Sequence, residues 1–349
     1  MDSLGDSIAR EAVELTRALV DIDSTTGKEA ACGRWLADHL RSLGYNVLEQ
    51  PVEGDRFNVL ATLDRPRVTF STHFDCVPPF FPSRVEGDRL FGRGACDAKG
   101  ILAAQVVAAQ RLKRAGIRDV GMLFVVGEER GSDGALAANT IAAQTLAAPS
   151  EAGKYSYLIN GEPTDNRLGV ATRGVWRIKL KAKGRAAHSS HPEQGESAIE
   201  KLLDSLMALR RIRLPSDDLL GTTNYSVGLI AGGVAPNVVP PSAEAEIVFR
   251  SVGPGSGIRA VLKPLEASVA IEDVLEVPPV KMHVVSGFDA AVFAYTTDVP
   301  LLPAWGAPLL YGPGSILLAH TADEHVLVSD LERASQDYEK LARTLLTRA

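Results

Sequence analysis

Cysteine and long apolar runs are both scarce in this sequence. Its 349 residues contain three cysteines, Cys32, Cys76 and Cys96, which form no CxxC pair and are too few for a disulfide framework. No apolar run approaches the ~20 residues that span a bilayer, and no basic-then-apolar segment opens the chain. These absences predict a cytoplasmic protein in a reducing compartment, with no membrane partner.

An excess of positive charge is also absent. The formal net charge is -6, from 37 Lys and Arg against 43 Asp and Glu, which argues against a nucleic-acid partner. The glycine-rich loop Gly92–Gly100 lacks the GxxxxGK[ST] spacing of a phosphate cradle. No GxSxG nucleophile elbow occurs anywhere. Two common enzyme classes, the P-loop nucleotidases and the serine α/β-hydrolases, are therefore not indicated.

The apolar pattern predicts an α/β domain that is interrupted by a smaller one. A single core rarely grows beyond roughly 250–300 residues, so a chain of this length favours two domains. Helices are predicted over 7–20, Glu29–Leu43, Gly100–Arg114 and Asp330–Leu346, and buried strands over Val68–Thr72, Met122–Val126 and Tyr155–Ile159. We predict a mixed, mostly parallel sheet with helices on both faces, built from 1–171 and 282–349. The β-α-β-β-α-β order of 172–281 predicts an inserted α+β domain.

Each of the three predicted strands leads into potential metal ligands. His73 and Asp75 follow the first strand, Glu128 and Glu129 the second, and Glu162 the third. Ligands of open α/β sheets bind outside the carboxyl ends of the strands, so these side chains should meet in one crevice. A single acid after a strand is more often a solvated turn residue or a helix cap, and adjacent acids are commonly surface residues. The convergence of several such residues on one sheet favours a site.

Two loops contribute further candidates, Asp97 from the glycine-rich loop and His320 near the C-terminal helix. Imidazole and carboxylate groups together suit zinc, and carboxylates can bridge two ions. Two metals about 3.5–4 Å apart can activate a water and polarise a carbonyl together. In the Glu128–Glu129 pair, one carboxylate could bind metal while the other takes the proton of the water.

These stretches together resemble a known family, the M20 metallopeptidases and deacylases. The family includes acetylornithine deacetylase, succinyl-diaminopimelate desuccinylase, aminoacylase and carboxypeptidases of the G type. The matching stretches occur in the family's order and are Ser71–Pro78, Gly92–Gly100, Gly127–Glu129, Gly161–Thr164 and Ala319–His325. The resemblance implies a zinc-peptidase-like catalytic domain and a ferredoxin-like lid and dimerisation domain over 172–281.

The resemblance also implies roles at the metal centre, with two Zn²⁺ as cofactor and Co²⁺ or Mn²⁺ as possible substitutes. One zinc would be held by His73 and Glu162, the other by Glu129 and His320, and Asp97 would bridge them and precede a cis peptide. Glu128 would be the general base, and Asp75 would hydrogen-bond His73.

The inserted domain carries further residues that match the family. His188 would stabilise the oxyanion across a homodimer, although outside this context it would be an ordinary surface histidine. Asn237 and Arg250 resemble contacts to the substrate carboxylate, to which an arginine can bind bidentately, although a strand-end arginine is more often solvated. Arg173 and Gly312 are further expected substrate contacts.

The resulting hypothesis is a dinuclear zinc amidohydrolase that removes an N-acyl group from a small amino acid. The stretches Gly312–Ser315 and Ala319–Glu324 look closest to acetylornithine-deacetylase-like enzymes. The alternatives are a desuccinylase, dipeptidase or carboxypeptidase of the same family, for which the substrate would be an N-acyl amino acid or a dipeptide. A non-enzymatic, metal-binding regulatory homologue should have lost the base or a ligand, but Glu128 and all five ligands are present. The segment Gly287–Pro303 departs from the common pattern in a region that shapes the pocket.

Overall fold

The computed structural model describes residues 3–146 and 156–348. The α-helices in these residues are α1 Ser3–Val20, α2 Ala30–Ser42, α3 Lys99–Arg114, α4 Asp133–Thr145, α5 Ala198–Leu209, α6 Gly255–Leu262 and α7 Val328–Arg348. The strands are β1 Asn46–Glu53, β2 Arg56–Thr62, β3 Val68–His73, β4 Arg84–Glu86, β5 Arg89–Phe91, β6 Val120–Val125, β7 Tyr157–Asn160, β8 Leu168–Thr172, β9 Gly174–Lys183, β10 Ser216–Asp217, β11 Gly221–Thr222, β12 Asn224–Gly232, β13 Ser242–Ser251, β14 Ala270–Val277, β15 Val280–Lys281, β16 Ala290–Phe293, β17 Ala307–Leu310 and β18 His325–Leu327.

The chain forms two compact units. The first contains Met1–Val170, Met282–Ala291 and Thr297–Ala349, and the second contains Ala171–Lys281 and Val292–Thr296. The predicted third strand, Tyr155–Ile159, is observed as β7, but Tyr155 itself lies outside the described residues. Within the described ranges, no helix is both long and apolar enough to cross a membrane.

The first unit is organised by a sheet with the strand order β1-β2-β6-β3-β7-β17-β8. The four neighbouring strands β6, β3, β7 and β17 are parallel, and the strands that flank them pair antiparallel. The predicted mixed, mostly parallel sheet is therefore confirmed. Parallel strands end at the same edge, so the residues that follow β3, β6 and β7 leave the sheet together.

Helices cover both faces of this sheet, because alternate residues of a strand point to opposite sides. Met122 and Phe124 of β6 pack in a core with residues of α1, α2, α3 and α7. Leu123 and Val125 pack instead in a second core with the alanines of α4. Burial on both faces explains why β6 is a continuous apolar run.

The second unit has an antiparallel sheet with the strand order β12-β13-β9-β14. Trp176, Ile178 and Leu180 of β9 are buried in its core, while the residues between them are partly exposed. Helices α5 and α6 contribute Leu202 and Ile258 to the same core. The elements follow the β-α-β-β-α-β order along the chain.

Candidate metal centre

Three neighbouring strand ends deliver the first candidate ligands. His73 is the last residue of β3, and Glu162 follows two residues after the end of β7. After β6, the turn Glu128–Arg130 begins at Gly127, whose φ is +76°. A side chain at Gly127 would place its Cβ 1.9 Å from Oδ1 of Asp133, so both the backbone conformation and the space require glycine here.

The structure brings the five predicted ligands together in two overlapping groups. One group contains His73, Asp97 and Glu162, and the other contains Asp97, Glu129 and His320. Within each group, the ligand atoms lie within 4.8 Å of one another. Asp97 belongs to both groups. Its Oδ1 lies 3.1 Å from Nε2 of His73, and its Oδ2 lies 3.3 Å from Nε2 of His320. The peptide bond between Asp97 and Ala98 is cis.

Two nearby groups fix the orientation of the imidazoles. Nδ1 of His73 lies 3.1 Å from the backbone oxygen of Asp75 and 3.4 Å from its carboxylate, so the carbonyl is the nearer partner. An Nδ1–H that donates to this carbonyl leaves Nε2 free to bind a cation. His320 has a positive φ of +64°, and its Nε2 lies 2.9 Å from Oε1 of Glu129.

The carboxylate of Asp75 serves a second purpose that the sequence did not reveal. Its Oδ1 accepts the backbone N–H of Glu128 at 3.1 Å, and its Oδ2 accepts that of Glu129 at 3.2 Å. The hydroxyl of Thr26 donates to the same Oδ2 at 2.8 Å. Asp75 therefore joins the end of β3 to the turn that carries both glutamates.

The electrostatics of the cluster favour a bound cation. Burial raises the pKa of Glu128 and that of Glu162 well above the usual value. Hydrogen bonds with Asp97 and Glu129 raise the pKa of His320 to about 10. Burial would raise the pKa of Asp97 as well, but hydrogen bonds from His320 and His73 outweigh it and hold that pKa below its usual value. The protonated imidazole of His320 thus offsets part of the negative charge of Asp97 and Glu129 when no metal is bound.

Asp298 is a buried acid near this cluster that sequence reasoning did not assign. Within the described residues, neither carboxylate oxygen has a hydrogen-bond partner of good geometry. Burial raises its pKa to about 6, and the Ser132 hydroxyl and the His73 imidazole only partly offset this effect. The available signal was its position in the segment Gly287–Pro303, which departs from the common family pattern.

The candidate substrate contacts of the second unit lie on its strand ends and loops. His188 is exposed, and the backbone of the next residue, Ser189, donates to the carbonyl of Asn237 at 3.0 Å. Arg250 is half-buried near the end of β13, and burial lowers its pKa. Arg173 donates through Nε and Nη2 to the carbonyl of Leu220, so these two nitrogens already have a partner.

Gly312 lies in the first unit against the backbone of the third strand end. Its backbone N–H donates to Oγ1 of Thr164 at 2.9 Å. A Cβ at Gly312 would lie 2.4 Å from the carbonyl oxygen of Glu162, a contact that only glycine avoids. Gly312 therefore permits the close approach of two segments beside Glu162.

A parallel sheet whose carboxyl edge gathers two imidazoles and several carboxylates is typical of a metallohydrolase. The family model described as Peptidase family M20/M25/M40 matches residues 69–344. A probable carboxypeptidase of Aspergillus clavatus is 36% identical over 95% of this chain and 82% of its own length. The chain belongs to the M20/M25/M40 peptidase family, and it is a hydrolase of amide or peptide bonds.

Solved structures share the same fold over nearly the whole chain. A tripeptidase from Staphylococcus aureus superposes with a TM-score of 0.78 at 22% identity, covering 96% of this chain and 99% of its own. A protein of Bacillus subtilis described as a dinuclear metal-binding peptidase of the M20 family has a TM-score of 0.71 at 16% identity, covering 98% and 99%. The predicted fold class and the predicted resemblance to the M20 family are both confirmed.

Proposed function

We propose that this chain is a dinuclear zinc amidohydrolase that cleaves the amide bond beside a free carboxylate in a small peptide or N-acyl amino acid. The observation that carries the proposal is the position of Asp97, which is common to both groups of ligand atoms. Its two oxygens face different histidines, His73 and His320. A carboxylate shared in this way suits a pair of metal ions.

The side chains of the two ligand groups fit a pair of metal ions. His73 and Glu162 would hold one ion, Glu129 and His320 the other, and Asp97 would bridge them. Imidazole nitrogen and carboxylate oxygen are preferred zinc ligands, although Co²⁺ and Mn²⁺ accept the same donors. Oε1 of Glu162 is buried without a hydrogen-bond partner among the described residues, as expected of an atom that awaits a ligand. When bound, the metals polarise the scissile carbonyl and activate the attacking water.

Glu128 acts as the general base in this proposal. It belongs to neither group of ligand atoms, so its carboxylate remains available for proton transfer. In the metal-free protein, burial and the charge of Glu162 raise the pKa of Glu128 above its usual value. Glu128 takes the proton of the water and then delivers it to the nitrogen of the leaving amine. Asp75 holds the backbone of Glu128 while it does so.

His188 would stabilise the oxyanion of the tetrahedral intermediate. The backbone N–H of Ser190 donates to Nδ1 of His188 at 3.2 Å, so a neutral ring carries its proton on Nε2. An exposed Nε2–H is a donor of the kind that an oxyanion requires. The proposal that His188 acts from a partner subunit comes from the family resemblance.

The free carboxylate of the substrate would bind to Arg250, with Asn237, Arg173 and Gly312 as further contacts. Arg250 is half-buried, and no described acidic side chain pairs with it. A guanidinium without an acidic partner can bind a carboxylate through two parallel hydrogen bonds. Arg173 is the weaker candidate, because Leu220 already accepts from two of its nitrogens.

The relatives favour peptides over acetylated amino acids as the substrate class. The relative from Aspergillus clavatus is named as a probable carboxypeptidase, and the protein from Staphylococcus aureus as a tripeptidase. We therefore place carboxypeptidase or dipeptidase activity first. The acetylornithine-deacetylase-like alternative stays a prediction that rests on the stretches Gly312–Ser315 and Ala319–Glu324.

A homodimer through the second unit is also part of the proposal. Strand β12 lies at an edge of its sheet, and its Leu229 and Ile230 are 66% and 61% exposed. Helix α5 adds Leu203 and Met207, which are also exposed. An unpaired edge strand with large apolar side chains is a common site of strand pairing between chains.

The proposal is tested by hydrolysis of a substrate panel with metal-stripped and zinc-restored protein. The panel contains dipeptides and tripeptides, the same peptides with amidated C-termini, and N-acetyl and N-succinyl amino acids including N-acetylornithine. We expect zinc-restored cleavage of peptides with a free carboxylate, and loss of that cleavage in Glu128→Ala. Cleavage of N-acetylornithine alone would establish the deacetylase alternative. No hydrolysis of any substrate by protein with two zinc ions bound would refute the proposed function.

A further inference from the structure

Glu324 and Arg93 form a buried ion pair that belongs to neither group of metal ligands. Glu324 is fully buried and Arg93 is 3% exposed. Nη1 of Arg93 lies 2.5 Å from Oε2 of Glu324. The removal of two charges from water costs free energy that the attraction between them does not always offset. The other contacts of the pair therefore indicate what it does.

The second oxygen of Glu324 binds the backbone of the glycine-rich loop. Oε1 accepts three N–H groups, from Gly94 at 2.9 Å, Cys96 at 3.2 Å and Asp97 at 3.1 Å. The backbone carbonyl of Glu324 accepts a fourth, from Gly92 at 3.1 Å. One residue thus satisfies four N–H groups of the loop that presents Asp97, and one of them is the amide of Asp97 itself.

Strand pairing brings Glu324 to this loop. β18 pairs antiparallel with β5, and His325 lies opposite Phe91. Glu324, which precedes β18, is consequently beside Gly92, which follows β5. His320 lies only four residues before Glu324 along the chain. Glu324 therefore joins the segment that carries His320 to the loop that carries Asp97.

Arg93 extends the connection to a third segment. Its Nε donates to the carbonyl of Pro79 at 3.2 Å, and its backbone N–H donates to the carbonyl of Phe81 at 3.1 Å. Its guanidinium also lies over the ring of Phe81, 5.0 Å from the centroid. Pro79 and Phe81 belong to the segment that follows β3, whose last residue is His73. The ion pair thus connects the segments of three candidate ligands.

We infer that Glu324, anchored by Arg93, is a positioning residue that holds the backbone of Asp97 so that its carboxylate can serve both metal ions. This inference rests on the dinuclear centre proposed above. Because Asp97 is common to both groups of ligand atoms, a displaced Asp97 weakens both ions together. A pair that only stabilises the fold would leave the metal affinity of the folded protein unchanged.

The test is a zinc titration of metal-free protein against a chelator of known affinity, comparing wild type with Glu324→Gln. Glutamine keeps the size of the side chain and one acceptor oxygen, but it loses the charge and turns amide hydrogens toward Arg93. We expect both zinc dissociation constants to rise about 10–100-fold, the usual effect of removing a residue that orients a ligand. In saturating zinc, kcat should fall while KM stays nearly constant. The visible spectrum of the Co²⁺-loaded variant should differ from that of wild type.

Glu339→Gln is the matched control. Glu339 accepts from Nε of Arg111 at 2.6 Å and from Nε and Nη2 of Arg343 at 2.9 and 2.8 Å. These described partners lie in α3 and α7, outside the loop that presents Asp97. This control should lower stability without changing either zinc constant. Arg93→Lys serves as the second variant, because lysine keeps the positive charge but loses the hydrogen bond to Pro79. We expect Arg93→Lys to raise both zinc dissociation constants, but by a smaller factor than Glu324→Gln does.

The outcomes separate this inference from the proposed function. The inference is supported if both zinc dissociation constants rise in Glu324→Gln while both stay at their wild-type values in Glu339→Gln. Unchanged constants in a Glu324→Gln protein whose wild type binds two zinc ions overturn the inference alone, and so does a shift of one constant only. A wild type that binds fewer than two zinc ions overturns the dinuclear centre and the inference with it. If Glu324→Gln does not fold, Arg93→Lys decides by the same criteria.

Discussion

Oδ2 of Asp75 lies 3.2 Å from the backbone nitrogen of Glu129, which joins the end of one strand to the turn after its neighbour. β3 and β6 pair in parallel, and His73 lies opposite Val125 in their register. Asp75, two residues after the end of β3, therefore lies beside the turn that begins at Gly127. A single carboxylate can orient ligands from two strands because parallel strands end at the same edge.

Asp75→Asn should disturb both strand ends. The amide retains one acceptor oxygen, but its NH2 group faces an N–H donor that the carboxylate now satisfies. We expect zinc affinity and kcat each to fall about 10–100-fold, measured by chelator competition and steady-state kinetics. Thr26→Val, which removes only the hydroxyl donor to Oδ2, should have a smaller effect. Wild-type values in Asp75→Asn would show that the carboxylate does not orient these ligands.

Zinc binding should release protons at neutral pH. Hydrogen bonds with Asp97 and Glu129 raise the pKa of His320 to about 10, and hydrogen bonds with Asp75 and Asp97 raise that of His73 well above its usual value despite burial. His320 is therefore protonated in the metal-free protein at pH 7.5, and an imidazolium must lose its proton to bind metal.

Calorimetric zinc titrations at pH 7.5, in two buffers that differ in ionisation enthalpy, measure this release. We expect roughly one to two protons per protein, and a zinc affinity that rises with pH until the imidazoles are neutral. His320→Ala should release fewer protons than wild type. Equal binding enthalpies in the two buffers would show that His320 carries no displaceable proton in the metal-free protein, and would refute this prediction.

Asp298→Asn should stabilise the metal-free protein at neutral pH. Burial raises the folded-state pKa of Asp298 from 3.8 to about 6, so the folded state binds the proton more tightly than the unfolded chain does. Stability from this group therefore falls as the pH rises through that window, and the penalty is complete above it. Asparagine carries no such penalty, so the free energy of unfolding at neutral pH should rise by on the order of 1–3 kcal/mol.

Urea unfolding of the metal-free proteins at pH 4 and pH 7.5 checks this prediction. The free energy of unfolding of Asp298→Asn should exceed that of wild type at pH 7.5, and the two values should be nearly equal at pH 4. Asp289→Asn is the matched control, because the side chain of Asp289 is 81% exposed and its replacement removes the same charge. A variant that is less stable than wild type at pH 7.5 would mean that Asp298 is held by favourable interactions in its ionised form.

The ligand-bearing strand ends could be predicted because their signals are local. β3 and β6 are both buried on both faces. β6 appears as an apolar run shortly before Gly127, and β3 as a short stretch rich in β-branched residues directly before His73. The pair β1 and β2 was not predicted. β1 is an edge strand with Pro51 and several exposed residues, so its apolar alternation is weak.

Contacts between distant segments could not be read from the sequence. Glu324 and Asp97 are separated by 227 positions, and only the pairing of β18 with β5 brings them together. Asp298 lies in a short irregular segment in which no period of apolar residues predicts burial. Gly312 was expected to touch substrate, but its close approach to the backbone of Glu162 depends on the pairing of β17 with β7.

Subunit exchange tests whether His188 acts from a partner chain. His188→Ala and Glu128→Ala proteins should each be inactive in the substrate panel, because one lacks the oxyanion donor and the other the base. In a mixed dimer, one of the two sites would combine an intact Glu128 with an intact His188 from the other chain. Mixing the two variants should therefore restore partial activity, up to about half of the activity per dimer if mixed dimers form completely. No recovery, with exchange verified by a tagged subunit, would place His188 in the same chain as the site it serves or outside catalysis altogether.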